Sequence, residues 1–273
     1  MLSEDTIINE ILPYLGAGNR GKSARAKFLK IVQAILYKLK TGCQWKLIPI
    51  KEFFEEGYSY SSIYHHYRRW IADGSWAKSY IRLLDFYRGL LDLSSISLDG
   101  SQTIAKRGGQ EVSYQGRKKA KTTNLLFLTD KSGIIIGFSN PISGKHNDLY
   151  EIEQKLEEAF TWLKKSQIPI AGLFLNADAG FDAARVRKYL ETLDIIANID
   201  LKKRKGNKDR YDLYFDSELY KERSTCEHSF AWLDAYRSLI LRYDILSCCW
   251  LTFNLIGSMV IFLNRINKMK TIL

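Results

Sequence analysis

Two short apolar runs constrain this chain more than any other feature: Ile96-Ser97-Leu98 stops at Asp99, and Leu173-Phe174-Leu175-Asn176-Ala177 stops at Asp178. Short, mostly apolar runs bounded by turn formers read as buried strands. A strand that ends in an aspartate sets a carboxylate at the rim of a sheet. Two such strands, joined by a third carboxylate from a helix, are a way to hold divalent metal ions. Residues 220–237, YKERSTCEHSFAWLDAYR, supply the candidate helix and the candidate carboxylate, Glu227. Tyr220, Arg223, Glu227 and Asp234 recur at steps of three, four and seven along one face, while Cys226, Phe230, Leu233 and Arg237 form the adjoining stripe. A surface helix whose Glu227 merely pairs with Arg223, worth about 0.2–0.5 kcal/mol, satisfies the same spacing.

Around these runs the pattern is that of an α/β core. Strands are expected over 96–99, 125–129 and 134–138, with Lys131-Ser132-Gly133 turning between the last two. A helix over 148–165, a strand over 172–178, a helix over 183–193 and a strand over 195–199 then alternate. Asp182 precedes one helix and reads as its cap. Asn147 or Asp148 reads as the cap of the other, with His146 and Asp148 near the cleft as the alternative. Residues 1–93 instead carry helical spacing throughout, in stripes such as Ile7, Ile11, Leu15 and Phe28, Ile31, Ile35, Leu39, with Ser59 capping a helix that turns Ile63, Tyr67, Trp70 and Ile71 inward. The expected organisation is an all-helical domain, 1–93, followed by an α/β domain, 94–273.

Charge points to a polyanionic partner. Forty-one Lys and Arg against 30 Asp and Glu give +11, with a sequence pI near 9.3. Three basic groups stand out: Arg68 and Arg69 among aromatic residues on a candidate recognition helix, Arg117, Lys118 and Lys119 after Asp99, and Lys202, Lys203 and Arg204 before the Glu227 helix. Solvated faces explain such runs equally well one by one, but two flanking a single carboxylate site favour a groove that tracks phosphates. Cys43, Cys226, Cys248 and Cys249 show neither metal-ligand spacing nor a disulfide framework, and His65 and His66 lack ligand partners, so an intracellular, reduced setting is expected. Residues 245–263 carry no charge over nineteen positions, enough to span a bilayer. Ser247, Thr252, Asn254 and Ser258 interrupt that stretch, and it reads as a buried helix holding Trp250, with no membrane partner.

Taken together, SLDGS, NADAGFD and CEHSFAWLDAYRSLILRYD, preceded by AILYKLKTGCQWKLIP and SIYHHYRRWIADGSW, resemble the DDE transposases of bacterial insertion sequences, the insertion-sequence-five group, over roughly residues 24–265. The resemblance implies an RNase H-like catalytic core with an N-terminal helical DNA-binding domain, and a cytoplasmic, nucleoid-associated enzyme that cleaves and transfers DNA strands at transposon ends. It makes Asp99, Asp178 and Glu227 both catalytic residues and ligands of two Mg²⁺ ions, or Mn²⁺, with Asp99 bridging them. Its partners would be double-stranded DNA, as terminal inverted repeats and target, bound by a homodimer. A Tyr, Arg, Glu, Lys signature of the family matches Tyr220, Arg223 and Glu227, while Asp234 stands where Lys is expected. That departure leaves one DNA contact to Arg237, or to none, and supports the alternative of a non-catalytic DNA-binding descendant. Three carboxylates converging without metal should also show raised pKa values.

Overall fold

The computed structural model of the chain describes residues 2–16, 24–55, 57–201 and 214–272. In chain order its elements are α1 (Glu4–Thr6), α2 (Ala24–Thr41), α3 (Ile50–Phe53), α4 (Tyr60–Ala72), α5 (Ser75–Phe86), β1 (Ile96–Ala105), β2 (Ser113–Gln115), β3 (Ala120–Asp130), β4 (Ile135–Phe138), β5 (Ile142–Ser143), α6 (Ile152–Lys165), β6 (Phe174–Ala177), α7 (Ala184–Thr192), β7 (Ile196–Ile199), α8 (Ser217–Lys221), α9 (Ser224–Asp234), α10 (Arg237–Ile240), β8 (Leu241–Arg242) and α11 (Ser247–Ile272). They fall into two units. One comprises Met1–Leu83, Thr103–Gln110 and Trp232–Leu273, the other Leu84–Gln102 and Glu111–Ala231. Both are discontinuous, whereas the division read from the sequence was a single cut after residue 93; residues 232–273 cluster with the N-terminal helices.

The reason lies in α11, whose apolar residues face almost every way. Trp250, Phe253, Ile256, Met259 and Leu263 are all buried. Tyr67 stacks on Phe253 with ring centroids 4.8 Å apart, and its hydroxyl donates to the Cys249 carbonyl at 2.6 Å. The polar interruptions are satisfied on the helix itself, Asn254 Nδ2 donating to the Trp250 carbonyl and Ser258 Oγ to the Asn254 carbonyl. By length and composition Ser247–Met269 would cross a membrane, but 72% of its apolar window is buried within the protein, as in a core helix. Within the same unit Arg242, fully buried, donates to the carbonyls of Gln110 and Asp244, and the end of β1 pairs with β8 through Ile104 and Leu241.

In the second unit the strand order is β2-β3-β1-β6-β7, with β4 also paired to β3. β1, β6 and β7 run parallel, while β3 and β4 form an antiparallel hairpin. Helices α6 and α7 make the crossovers into β6 and β7. An antiparallel hairpin flanking three parallel strands in the order β4-β3-β1-β6-β7 is the RNase H-like arrangement. β3 is buried from Thr122 to Asp130, in keeping with the apolar run Leu125–Leu128 at its middle. Ile152, Leu156, Ala159, Phe160 and Leu163 of α6 form the stripe that covers the sheet. Gly137 admits this close packing, since a Cβ there would lie 2.5 Å from the Ala159 carbonyl oxygen.

Candidate active site

Register builds the site. Leu98 is paired with Ala177, and Ala177 with Ile199, so Asp99, Asp178 and Asp200 each come directly after paired residues of three adjacent strands, Asp99 within β1 and the other two just past the ends of β6 and β7. Ser97 and Asp99, Asn176 and Asp178, and Asn198 and Asp200 share one face by the two-residue alternation of a strand. Asp99 does not end its strand as expected: β1 continues to Ala105, leaving Asp99 mid-strand with Oδ1 accepting from the Gly100 amide at 2.8 Å. The six further residues are less apolar, so their strand pattern was invisible in the sequence. Asp178 directly follows β6, and its Oδ1 accepts from the Gly180 amide at 2.8 Å, capping the short turn Ala179–Phe181.

Side-chain amides tie β6 and β7 to the segment that follows them. Asn198 Nδ2 donates to Asn176 Oδ1 at 2.7 Å and to the Asp216 carbonyl, and Asp216 returns its amide to Asn198 Oδ1. The Asp216 carboxylate then caps α8 by accepting from Glu218 and Leu219 amides. The single helix expected over 220–237 is therefore broken. Tyr220 lies in α8, Arg223 in the turn after it, Glu227 in α9 and Arg237 in α10. At the first break Glu222 binds the Ser95 hydroxyl and Lys131, and Thr225 Oγ1 donates back to the Glu222 carbonyl, competing with regular helix. Beyond it Cys226 packs on Thr129 and Phe230 on Phe127, so that part of the expected inward stripe is present. Arg237 is exposed instead.

The turn aims Arg223 inward. Its Nη1 donates to Asp99 Oδ2 at 3.2 Å, and its guanidinium lies 5.7 Å from the Tyr220 ring centroid. Burial raises the Asp99 pKa; the Gly100 amide and Arg223 oppose that, and the charges of Asp178 and Asp148 add to it. Burial also opposes charge on Arg223, but Asp99, Tyr220 and Asp178 outweigh it and raise its pKa. Cys226, directly beneath, has its thiol pushed up to about 12 by burial, which makes it packing and not a nucleophile. Glu227 is exposed, and among the described residues no three His, Cys, Asp or Glu side chains are arranged to hold a metal ion.

The family described as "Transposase DDE domain" matches residues 85–247, more than half of the chain, and that described as "Putative transposase of IS4/5 family" matches residues 5–79. The chain belongs to the DDE transposases. No protein of curated function matches its sequence. Among solved structures it is similar to a Mos1 transposase paired-end complex with left transposon end, at 13% identity and a TM-score of 0.30 over 82% of this chain and 74% of that one. It is also similar to a pre-cleavage Mos1 transpososome, at 14% and 0.30 over 86% and 78%, and to a Mos1 mariner paired end complex with Mn, at 16% and 0.29 over 89% and 78%. At these scores the likeness adds nothing to the family match.

In this transposase the basic residues singled out from the sequence meet different surroundings. Arg117, Lys118 and Lys119 are exposed at the tip of the β2–β3 hairpin, where Gln115 pairs with Ala120, and Lys118 donates to the Gln102 carbonyl at 2.7 Å. Arg68 and Arg69 are half-buried with internal partners, Cys249 Sγ and the Gly16 carbonyl respectively. Lys202, Lys203 and Arg204 lie outside the described residues. One carboxylate was missed and one, Asp148, was read first as a helix cap with the cleft as the alternative. Asp200 ends a third apolar run, Ile195–Ile199, in the same pattern as the first two, a signal the sequence did carry. Asp148 does not cap α6, whose N-cap is Glu151; it accepts from Asn124 Nδ2 at 2.7 Å, and a Cβ on Gly100 would lie 2.9 Å from its Oδ1. Nor does Asp182 cap α7: it is buried and pairs with Arg187 Nε at 3.2 Å.

Proposed function

We propose that this transposase cuts and joins DNA strands at the ends of its own element, using Asp99 and Asp178 as the fixed pair of metal ligands and Glu227 as the third. The observation that carries the reading is the pairing of Leu98 with Ala177 on adjacent parallel strands, which brings the aspartates that follow them close enough for the charge of Asp178 to act on Asp99, in a chain of the DDE family. Two carboxylates at strand spacing repel by roughly 3–4 kcal/mol at an effective dielectric of 20, so the pair calls for a cation. A cation is indeed present there in the form of the Arg223 guanidinium. Hard oxygen donors suit Mg²⁺ or Mn²⁺, which bind through a few carboxylates and complete their shells with water and substrate phosphate. Bound at this place, two such ions supply activation of the attacking oxygen and stabilisation of the leaving one.

The protein's own residues divide the remaining work. The Gly100 and Gly180 amides fix the orientation of the two aspartates. The exposed Arg117, Lys118 and Lys119, with Tyr220 and Arg223, provide donors for DNA phosphates, in line with the +11 charge. A homodimer, brought together by two transposon ends, and a place in the bacterial cytoplasm at the nucleoid complete the reading. The test is nicking of duplex DNA bearing the element's terminal inverted repeats in Mg²⁺, wild type against Asp99→Asn. Equal nicking by both would refute the assignment.

A second reading draws on the exposure of Glu227 and the Asp at position 234. In it the chain binds transposon ends without cutting them. Salt-sensitive binding of terminal-repeat DNA with no metal-dependent nicking would select that reading.

A further inference from the structure

We propose that Arg223 is the resident counter-ion of Asp99 and has to leave it before a divalent cation can bind, so that DNA and metal bind cooperatively through this one ion pair. The inference rests on the catalytic reading and adds to it a competition inside the site. Both Asp99 oxygens are engaged, Oδ1 by the Gly100 amide at 2.8 Å and Oδ2 by Arg223 Nη1 at 3.2 Å. The Gly100 amide belongs to the strand and cannot withdraw. Arg223 can, because it stands in the turn between α8 and α9, while the neighbouring Glu222 pins that turn to Ser95 and Lys131. Both members of the pair are mostly buried, the side chains 22% and 21% exposed, so solvent ions screen the contact weakly. A guanidinium and a divalent cation cannot share one carboxylate oxygen without strong mutual repulsion.

A DNA phosphate is the natural alternative partner. The planar fork of arginine matches phosphate as well as it matches carboxylate. If phosphate takes Arg223, Asp99 is freed for metal, and if metal takes Asp99, Arg223 is freed for phosphate. By linkage each ligand then tightens the other by the same factor.

The experiment measures Mn²⁺ binding to the full chain by electron paramagnetic resonance, with and without non-cleavable duplex DNA. Without DNA, Arg223→Gln should bind Mn²⁺ about tenfold more tightly than wild type. Duplex DNA should tighten binding by wild type to a similar degree and leave Arg223→Gln unchanged, and Asp99→Asn should abolish it throughout. Should Arg223→Gln fail to fold, Arg223→Lys takes its place, with a smaller gain because lysine keeps the positive charge on a shorter reach. Binding lost in Asp99→Asn but no tighter in the Arg223 variants would overturn this proposal alone. Absence of Mn²⁺ binding by every variant would overturn the catalytic reading and this proposal with it.

Discussion

The strands that carry Asp99 and Asp178 and the segment that carries Arg223 and Glu227 are held by different forces. On the strands, backbone pairing over Ile96–Leu98 and Phe174–Ala177 fixes each side chain's level and face, and a slip by one residue would turn Leu98 out and Asp99 in. In the segment α8 and α9 are short, and side-chain bonds help set their positions: Asp216 to Asn198, Glu222 to Ser95 and Lys131, Arg223 to Asp99, Ser229 to the Gly133 carbonyl. Each such bond is worth about 0.5–1.5 kcal/mol net. The sheet is thus a platform set by backbone pairing, and the segment, set by side-chain bonds, presents a cation to Asp99.

The largest effects should separate platform from segment. Asp99→Asn and Asp178→Asn should each lower metal-dependent nicking by on the order of 10²–10³-fold, the scale of removing one group that stabilises transition-state charge. Glu227→Gln should lower nicking as far while changing the unfolding free energy by less than about 0.5 kcal/mol, because Glu227 is exposed. Asp99→Asn should differ in stability too. With the folded pKa raised above the unfolded one, ionised Asp99 opposes folding: its contribution falls as pH rises from about 3.8 through the raised value, then stays level. Metal-free Asp99→Asn should therefore melt above wild type at pH 7, and the gap should close below the unfolded pKa. Nicking by Glu227→Gln at the wild-type rate would break the distinction, leaving the two strand carboxylates as the whole of the metal site.

A smaller effect tests how tightly the platform is packed. Gly100→Ala would drive a methyl to 2.9 Å from Asp148 Oδ1 and 3.3 Å from a Leu126 methyl, so those side chains have to shift to admit it. Overpacking of this kind costs about 1–3 kcal/mol. Pairing it with Asp148→Gly should recover part of the loss in a double-mutant cycle read by denaturant melts. A fully additive result would show that the carboxylate swings away freely, and that the platform is softer than its register implies.

What could be read from the chain follows the same divide. Periodicity located α6, β6, α7 and β7 to within a few residues, and the runs before Asp99 and Asp178 announced the parallel strands, because burial on both faces writes a continuous apolar stretch. Asp200 was equally announced and overlooked. The hairpin extension of β1 and β3 was not legible, since Gly100 to Thr103 and Lys121 to Asn124 are polar and look like loop. Neither was the break at Glu222, which depends on Ser95 and Lys131, residues 127 and 91 positions away in the chain. Helical spacing from Tyr220 to Arg237 is real, yet tertiary bonds override it. Arg68 and Arg69 illustrate the same limit, for no pattern in YHHYRRW indicates the carbonyl of Gly16 as a partner.

The basic hairpin offers a test at the periphery of the platform. Arg117 and Lys119 project from a turn held in register by Gln115 and Ala120, and the Arg117 amide is bound to Gln115 Oε1, so the backbone that carries the two charges is tied to the strands. Replacing both by alanine removes two phosphate contacts at most, and the slope of log K against log salt for duplex binding should flatten by about 1.8. Binding should weaken uniformly across sequences, as phosphate contacts carry no base information.

The smallest effect belongs to α4, where the charges are held inward. His66 has its pKa lowered to about 4, first by burial and then by Arg69, His65 and Lys27. Its ring lies 5.5 Å from both Phe28 and Trp70, in a setting that resists a second proton. For a base whose folded pKa is depressed, the favourable contribution is complete above the unfolded value near 6.5 and is lost as pH falls toward 4. Because the residue is only half-buried, solvent screening reduces the effect to a modest one. Melting temperature followed from pH 7.5 to 4.5 should therefore drop less steeply in His66→Gln than in wild type, with the two curves parallel above pH 7. Identical slopes would mean that α4 opens enough for His66 to be protonated in place.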